Sequence, residues 1–152
     1  MDTLAHALYG SAIVAHTRDE KKIFTAAAAG MMPDLVTYAV ALASGHNLHD
    51  VNLTLYYTTH SLFIPTTLLV ILPKRWKVYA VPYFLHVLFD IFTHCNSFST
   101  QIFFPLSNLS FCTFNYTDHW WAWELNYGVI ILLYYVIYLK WYKPFLRQGK
   151  PV

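Results

Sequence analysis

Apolar residues fall into runs along this chain, each ended by a short polar or charged stretch. The runs at 3–16 (TLAHALYGSAIVAH), 23–44, 55–72, 77–95 and 127–142 (YGVIILLYYVIYLKWY) are too long for strands and predict helices. Crossing a bilayer takes about 20 residues. The second, third and fourth runs meet or approach that length, and the fifth is marginal with aromatic ends that suit an interface. The first run is short for a span, which leaves open whether it crosses or lies partly in the interface. Pro33 interrupts the second run and is expected to kink it, because its ring removes a helical hydrogen bond. Between the fourth and fifth runs, residues 96–126 are long for a connector. Phe103, Phe104, Trp120, Trp121 and Trp123 make that stretch a candidate lid on the membrane interface or a plain anchor.

Composition changes the picture from helical to membrane-embedded. Of 152 residues, 57% are hydrophobic and only 12% charged, roughly half the charge of a soluble domain. The expected fold class is an all-α integral membrane bundle of about five helices, in one domain over 1–152. A net charge of +2 is too small to point to nucleic acid. No basic stretch precedes the first run, so that run reads as a retained helix rather than a cleaved leader. The ten Lys and Arg residues fall after the first and third runs and at the end of the fifth. The positive-inside rule then predicts the N-terminus outside and the C-terminus in the cytoplasm, in a cell or inner membrane.

Against this apolar background the ionisable residues stand out. His86, Asp90 and His94 lie four apart and share one face of the fourth helix. In the five-helix arrangement His6, Asp34 and His60 reach the same level of the membrane, from its middle to its outer face. Ionisable groups in spanning segments are costly and meet a partner or a cavity. Imidazoles and carboxylates gathered at one depth make a ligand set for a divalent transition metal, zinc by default. Each residue alone also has a plain reading. A single His is commonly a hydrogen-bonded core residue, and Asp34 can bond backbone freed by Pro33; Asp90 among Leu, Phe and Ile is harder to explain without a strong partner. His16, His46 and His49 read as solvated loop residues. Cys95 and Cys112 are open to three readings: an inert thiol pair, a disulfide, or Cys95 as a metal ligand.

The segments "DTLAHALYG", "GMMPDL", "TTHSLF", "HVLFDIFTH" and "FFPLS", in that order, resemble the YdjM-like inner-membrane proteins, a family of membrane-bound metal-dependent hydrolases. That family is in turn similar to the zinc-dependent phospholipase C and zinc nuclease superfamily. The resemblance implies one zinc held by Asp34, His60, His86 and Asp90, and a second held by His6 with Asp90 bridging. It also implies a ligating N-terminal residue, for which Met1 is no match and Asp2 is a substitute. A third zinc would call on His94 and an H-x3-E pair, but His119 and Glu124 are one residue too far apart. The expectation is two zinc ions, with Asp34 and Asp90 as the catalytic carboxylates and Asp34 either ligand or general base. Substrate contacts are expected from Ser107, Asn108, Asn115, His119 and Glu124. The substrate is expected to be a lipid-like phosphoester and the partners membrane lipids. A metal-tied scaffold without activity and a divalent-metal transporter are the other readings.

Overall fold

The computed structural model describes residues 1–45 and 52–147; His46, His49 and Lys150 lie outside them. Among the described residues the structure is helical, and strand-like pairing is confined to a bridge between Gln101 and Ser110. Helix α1 (Thr3–Val14) starts at Asp2, whose carboxylate accepts from the Ala5 amide at 2.9 Å. The cap satisfies a backbone donor that the first turn leaves free. Arg18 turns the chain in the left-handed region (φ 56°), and Asp19 caps α2 (Glu20–Ala43). Helix α2 continues through Pro33, so the proline does not end it.

The third apolar run is two helices, α3 (Leu53–Thr59) and α4 (Phe63–Ile71), where one was expected. The break falls on polar residues that find better partners elsewhere. The Ser61 hydroxyl and the Leu62 amide both donate to the Ile102 carbonyl, at 3.2 and 3.0 Å. The Thr59 hydroxyl donates back to the Leu55 and Tyr56 carbonyls, a competition that weakens helices. Helix α5 (Lys74–Thr93) follows, and a long connection leads to α6 (Trp120–Ile137). That helix begins seven residues before the expected start (127 − 120 = 7). Trp120, Trp121 and Trp123 therefore belong to a helix, and the connection ends at His119. A wider turn over Tyr138–Tyr142 and the short α7 (Lys143–Arg147) complete the last rod.

The contacts fix how the rods run. Gly10 on α1 meets Ala26 on α2 and Pro82 on α5, whereas His6 meets Gly30 and His86. Helix α1 is therefore antiparallel to α2 and α5, which are parallel to each other. Helix α6 runs with α1: Tyr127 bonds Asp2, Tyr134 bonds Leu8, and Tyr142 bonds Ala15. Among the described residues, the Lys and Arg side chains of the α1–α2 turn, the start of α5 and the end of the last rod consequently share one end of the bundle. Arg18 packs over Phe145 at 4.0 Å there.

Polar groups are buried beside the apolar core while large apolar side chains are exposed. His60, His86 and Asp90 are among the most deeply buried large side chains, while Val70, Ile71, Leu125, Ile131 and Leu132 are largely exposed. Two helices, Glu20–Ala43 and Trp120–Arg147, are long and apolar enough to cross a membrane.

Close approach of α1 and α2 requires two glycines. A Cβ on Gly10 would lie 2.5 Å from the Ala26 carbonyl oxygen, and one on Gly30 would lie 2.5 Å from the His6 carbonyl oxygen. Small residues at such crossings let backbones touch. Gly30→Ala is expected to push α1 away and to cost about 1–3 kcal/mol, read as a lower thermal midpoint in detergent. An unchanged midpoint would show that the crossing tolerates a side chain.

Candidate metal centre

Five segments deliver one polar cluster to the interior. Helix α5 brings His86 and Asp90 on one face, with His94 just past its last turn. The α1–α2 crossing brings His6 and Asp34, and the break between α3 and α4 brings His60. His6, His60, His86 and Asp90 are at most 2% exposed.

Hydrogen bonds at the far side of two rings decide what faces inward. His86 Nδ1 sits 2.6 Å from the Gly30 carbonyl oxygen, and His60 Nδ1 sits 3.0 Å from the Tyr56 carbonyl oxygen. A carbonyl only accepts, so each Nδ1 carries the hydrogen. In its neutral form each ring then turns an Nε2 lone pair inward, and the two Nε2 atoms are 3.1 Å apart. Asp34 Oδ1 lies 3.3 Å from His60 Nε2 and 3.7 Å from His86 Nε2. Asp90 Oδ2 lies 3.6 and 3.2 Å from the same two atoms. Four electron-rich atoms converge on one point, and either a cation among them or protons on the rings balance the charge.

The spacing fits a divalent metal. Bonds of about 2.0–2.1 Å in a tetrahedron put neighbouring ligand atoms roughly 3.3 Å apart. The separations of 3.1 to 3.7 Å bracket that edge. Asp34, His60, His86 and Asp90 can thus hold a metal ion, with all four ligand atoms within 4.8 Å of one another. The carbonyl partners behind His60 and His86 orient the rings as outer-shell acceptors do in metal sites.

Asp90 also faces a second set. Its Oδ1 is 3.0 Å from His6 Nε2, 3.3 Å from His94 Nδ1 and 2.7 Å from the Met1 amine. The amine also donates to Thr93 Oγ1 at 2.9 Å. The His6 ring stacks on His86 with centroids 3.6 Å apart, and its Nδ1 is buried with no partner among the described residues.

Supporting residues that the sequence did not single out surround these ligands. Thr3 donates to Asp34 Oδ2 at 2.6 Å, and Tyr83 donates to the Thr59 carbonyl at 2.7 Å. Asp2 faces away from the cluster. Its Oδ1 accepts from Tyr127 at 2.8 Å and its Oδ2 from Tyr116 at 3.1 Å, so it ties α1 to α6 and the connection and does not stand in as a ligand. Burial and the neighbouring Asp2 carboxylate push the Tyr116 phenol well up, which keeps it a donor. The Asp-Thr pair ahead of the first apolar run carries a capping signal, but nothing in the sequence showed the tyrosine partners.

A cavity of about 730 Å³ opens beside the cluster, with Asp34, His94, Tyr56 and Trp123 in its wall. Cys95 lines it too and forms a disulfide with Cys112, which corrects the inert-thiol and ligand readings of these cysteines. Of the expected substrate contacts, Asn115 lines the cavity, whereas Ser107, Asn108, His119 and Glu124 do not. Ser107 instead accepts from the Leu109 amide, and the His119 ring packs between Phe114 and Trp121. Glu124 is exposed on α6, next to Trp123, which does line the cavity.

Compared with protein-family models, curated proteins and solved structures, the chain matches none of them. Its site geometry carries the functional argument.

Metal content tests the assignment. Purified protein is expected to retain divalent metal by elemental analysis. Asp90→Asn and His60→Ala are expected to lose most of it, and chelation to lower the thermal midpoint by several degrees. A protein that is folded and metal-free as isolated, and that takes up none when zinc is added, would leave the cluster as a protonated network.

Proposed function

We propose that this protein is a membrane-embedded, metal-dependent hydrolase that cleaves a phosphoester of a lipid-like substrate. The observation that carries the reading is the division of Asp90: one oxygen faces His60 and His86, the other His6, His94 and the Met1 amine. A carboxylate used on both sides suits two adjacent ions, and zinc fits the mixed nitrogen and oxygen donors. Such a pair lowers the pKa of water and neutralises charge on phosphoryl oxygens.

The residues divide the remaining work by position. Asp90, with its side chain 1% exposed, holds the cluster together. Asp34 is the carboxylate that reaches the cavity, with its side chain 12% exposed and one oxygen tied by Thr3. It is placed to take a proton from the attacking water. The oxygen of water bonds to phosphorus as the phosphorus–oxygen bond to the leaving group breaks. The proton passes to the departing alkoxide, so a phosphodiester yields an alcohol and a phosphomonoester.

Several features support a membrane setting with the site toward the outer face. The exposed apolar faces of α4 and α6 suit lipid. The basic residues lie at the bundle end opposite the cluster, as a cytoplasmic end requires. The Cys95–Cys112 disulfide, beside the cluster, suits an oxidising compartment. A closed structural metal site has no need of an adjoining cavity, which favours the hydrolase over the scaffold. A transport path needs ligands through the full depth, and here they gather at one end.

The test is hydrolysis of bis-p-nitrophenyl phosphate and of lipid phosphodiesters in mixed micelles by zinc-loaded protein. Asp34→Asn is expected to lower turnover by about 10²–10⁴-fold while part of the metal remains. Asp90→Asn is expected to lose metal and activity together. Full metal occupancy with no turnover on any phosphoester would sink the proposal.

A further inference from the structure

The cavity beside the metal cluster has a lining that selects its occupant. We infer that it is a head-group site for an uncharged polyol carried on a phosphate, such as a glycerol or cyclitol ester. The phosphate part of this inference rests on the phosphoesterase reading; the polyol part rests on the wall itself. Among the described residues the wall holds no Lys or Arg, and its one cationic amine, that of Met1, is already held by Asp90 and Thr93, which leaves little to compensate a second anionic group.

A cationic head group finds equally little. The two carboxylates in the wall are Asp2 and Asp34. Asp2 is already used by Tyr116, Tyr127 and the Ala5 amide, and Asp34 by Thr3 and His60. Two of the aromatic faces in the wall are engaged, which leaves Tyr38 as a ring without an aromatic partner among the described residues, where an ammonium cage uses several. Tyr56 stacks on His60 at 4.0 Å, and Tyr116 packs on Trp123 at 4.7 Å.

Neutral groups that both donate and accept are what remain. The Asn96 and Asn115 amides and the Ser97 hydroxyl line the cavity without side-chain hydrogen-bond partners among the described residues. Hydroxyls of a polyol also donate and accept, so they match such groups in either direction. The strap that carries Asn96 and Ser97 is held in place. Tyr57 donates to the Ser97 carbonyl and Tyr56 to the Phe98 carbonyl, each at 2.9 Å, and the disulfide ties Cys95 to Cys112. Groups fixed before binding lose little entropy on contact. A cavity of about 730 Å³ also falls in the size range of small-molecule sites.

Calorimetric titration of the zinc-loaded protein in detergent tests this with three probes: inorganic phosphate, glycerol 1-phosphate and phosphocholine. Glycerol 1-phosphate is expected to bind about tenfold more tightly than inorganic phosphate, and phosphocholine no more tightly than inorganic phosphate. Asn115→Ala and Ser97→Ala, both at sites that leave the strap's backbone bonds intact, are expected to remove that gain and leave phosphate affinity unchanged. Phosphatidylglycerol in micelles binding more tightly than the free ester would identify a lipid source, and equal affinity a soluble polyol phosphate. Phosphate binding with no gain from glycerol, or a larger gain from choline, overturns the head-group assignment alone. No binding of any probe overturns the phosphoesterase reading and this inference together.

Discussion

A carboxylate buried among apolar helices is the constraint on which this structure turns. Asp90 lies on a helix whose other inward residues include Val87 and Ile91, and its side chain is 1% exposed. An isolated charge there would be prohibitively costly. The chain meets that cost by bringing partners from everywhere it can: the Met1 amine at 2.7 Å, His86 on the same helix and His94 just past its end, His6 from α1, and His60 from the break between two helices. Asp34 adds a second negative charge to the same volume, which worsens the balance unless cations enter. Asp34, His60, His86 and Asp90 together could hold a metal ion that would supply the missing positive charge.

The packing around the cluster serves the same end. Gly10 and Gly30 let α1 touch α2 backbone to backbone, which sets His6 against His86. Ring stacking at 3.6 Å is possible there because a methyl group is missing behind it. Gly30 has a second role, since its carbonyl is the acceptor that fixes the His86 ring. The helix break at His60 is likewise a positioning device. An unbroken helix would have kept Ser61 and Leu62 from the Ile102 carbonyl, and with it the connection that walls the cavity.

The rim is built by different means from the core. Asp2, Tyr116, Tyr127 and Asn126 form a hydrogen-bonded group that joins the start of α1 to α6. The disulfide holds the strap against the end of α5. Together they fix the polar wall of the cavity beside the buried cluster.

Much of this was legible in one dimension because two periodicities are strict. Apolar runs of helical length are legible from the chain alone, since transfer of backbone into an apolar medium requires internal hydrogen bonding. The i, i+4 spacing of His86 and Asp90 put them on one face for the same geometric reason, whereas His94 lies just past the helix end in extended conformation. The gathering of basic residues at one end followed from counting passes. Other features depended on contacts between distant residues. No local rule showed that the Ile102 carbonyl would compete for the helix at Ser61, that Trp120 would begin a helix, or that Cys95 would pair with Cys112. Nor could spacing show that Ser107, Asn108, His119 and Glu124 would stand off the cavity while Asn96 and Ser97 lined it. Local periodicity is set by bond geometry and solvent, and so is written along the chain. Which lone pairs meet, and which carbonyl orients which ring, depends on how five segments pack, and only the tertiary structure decided it.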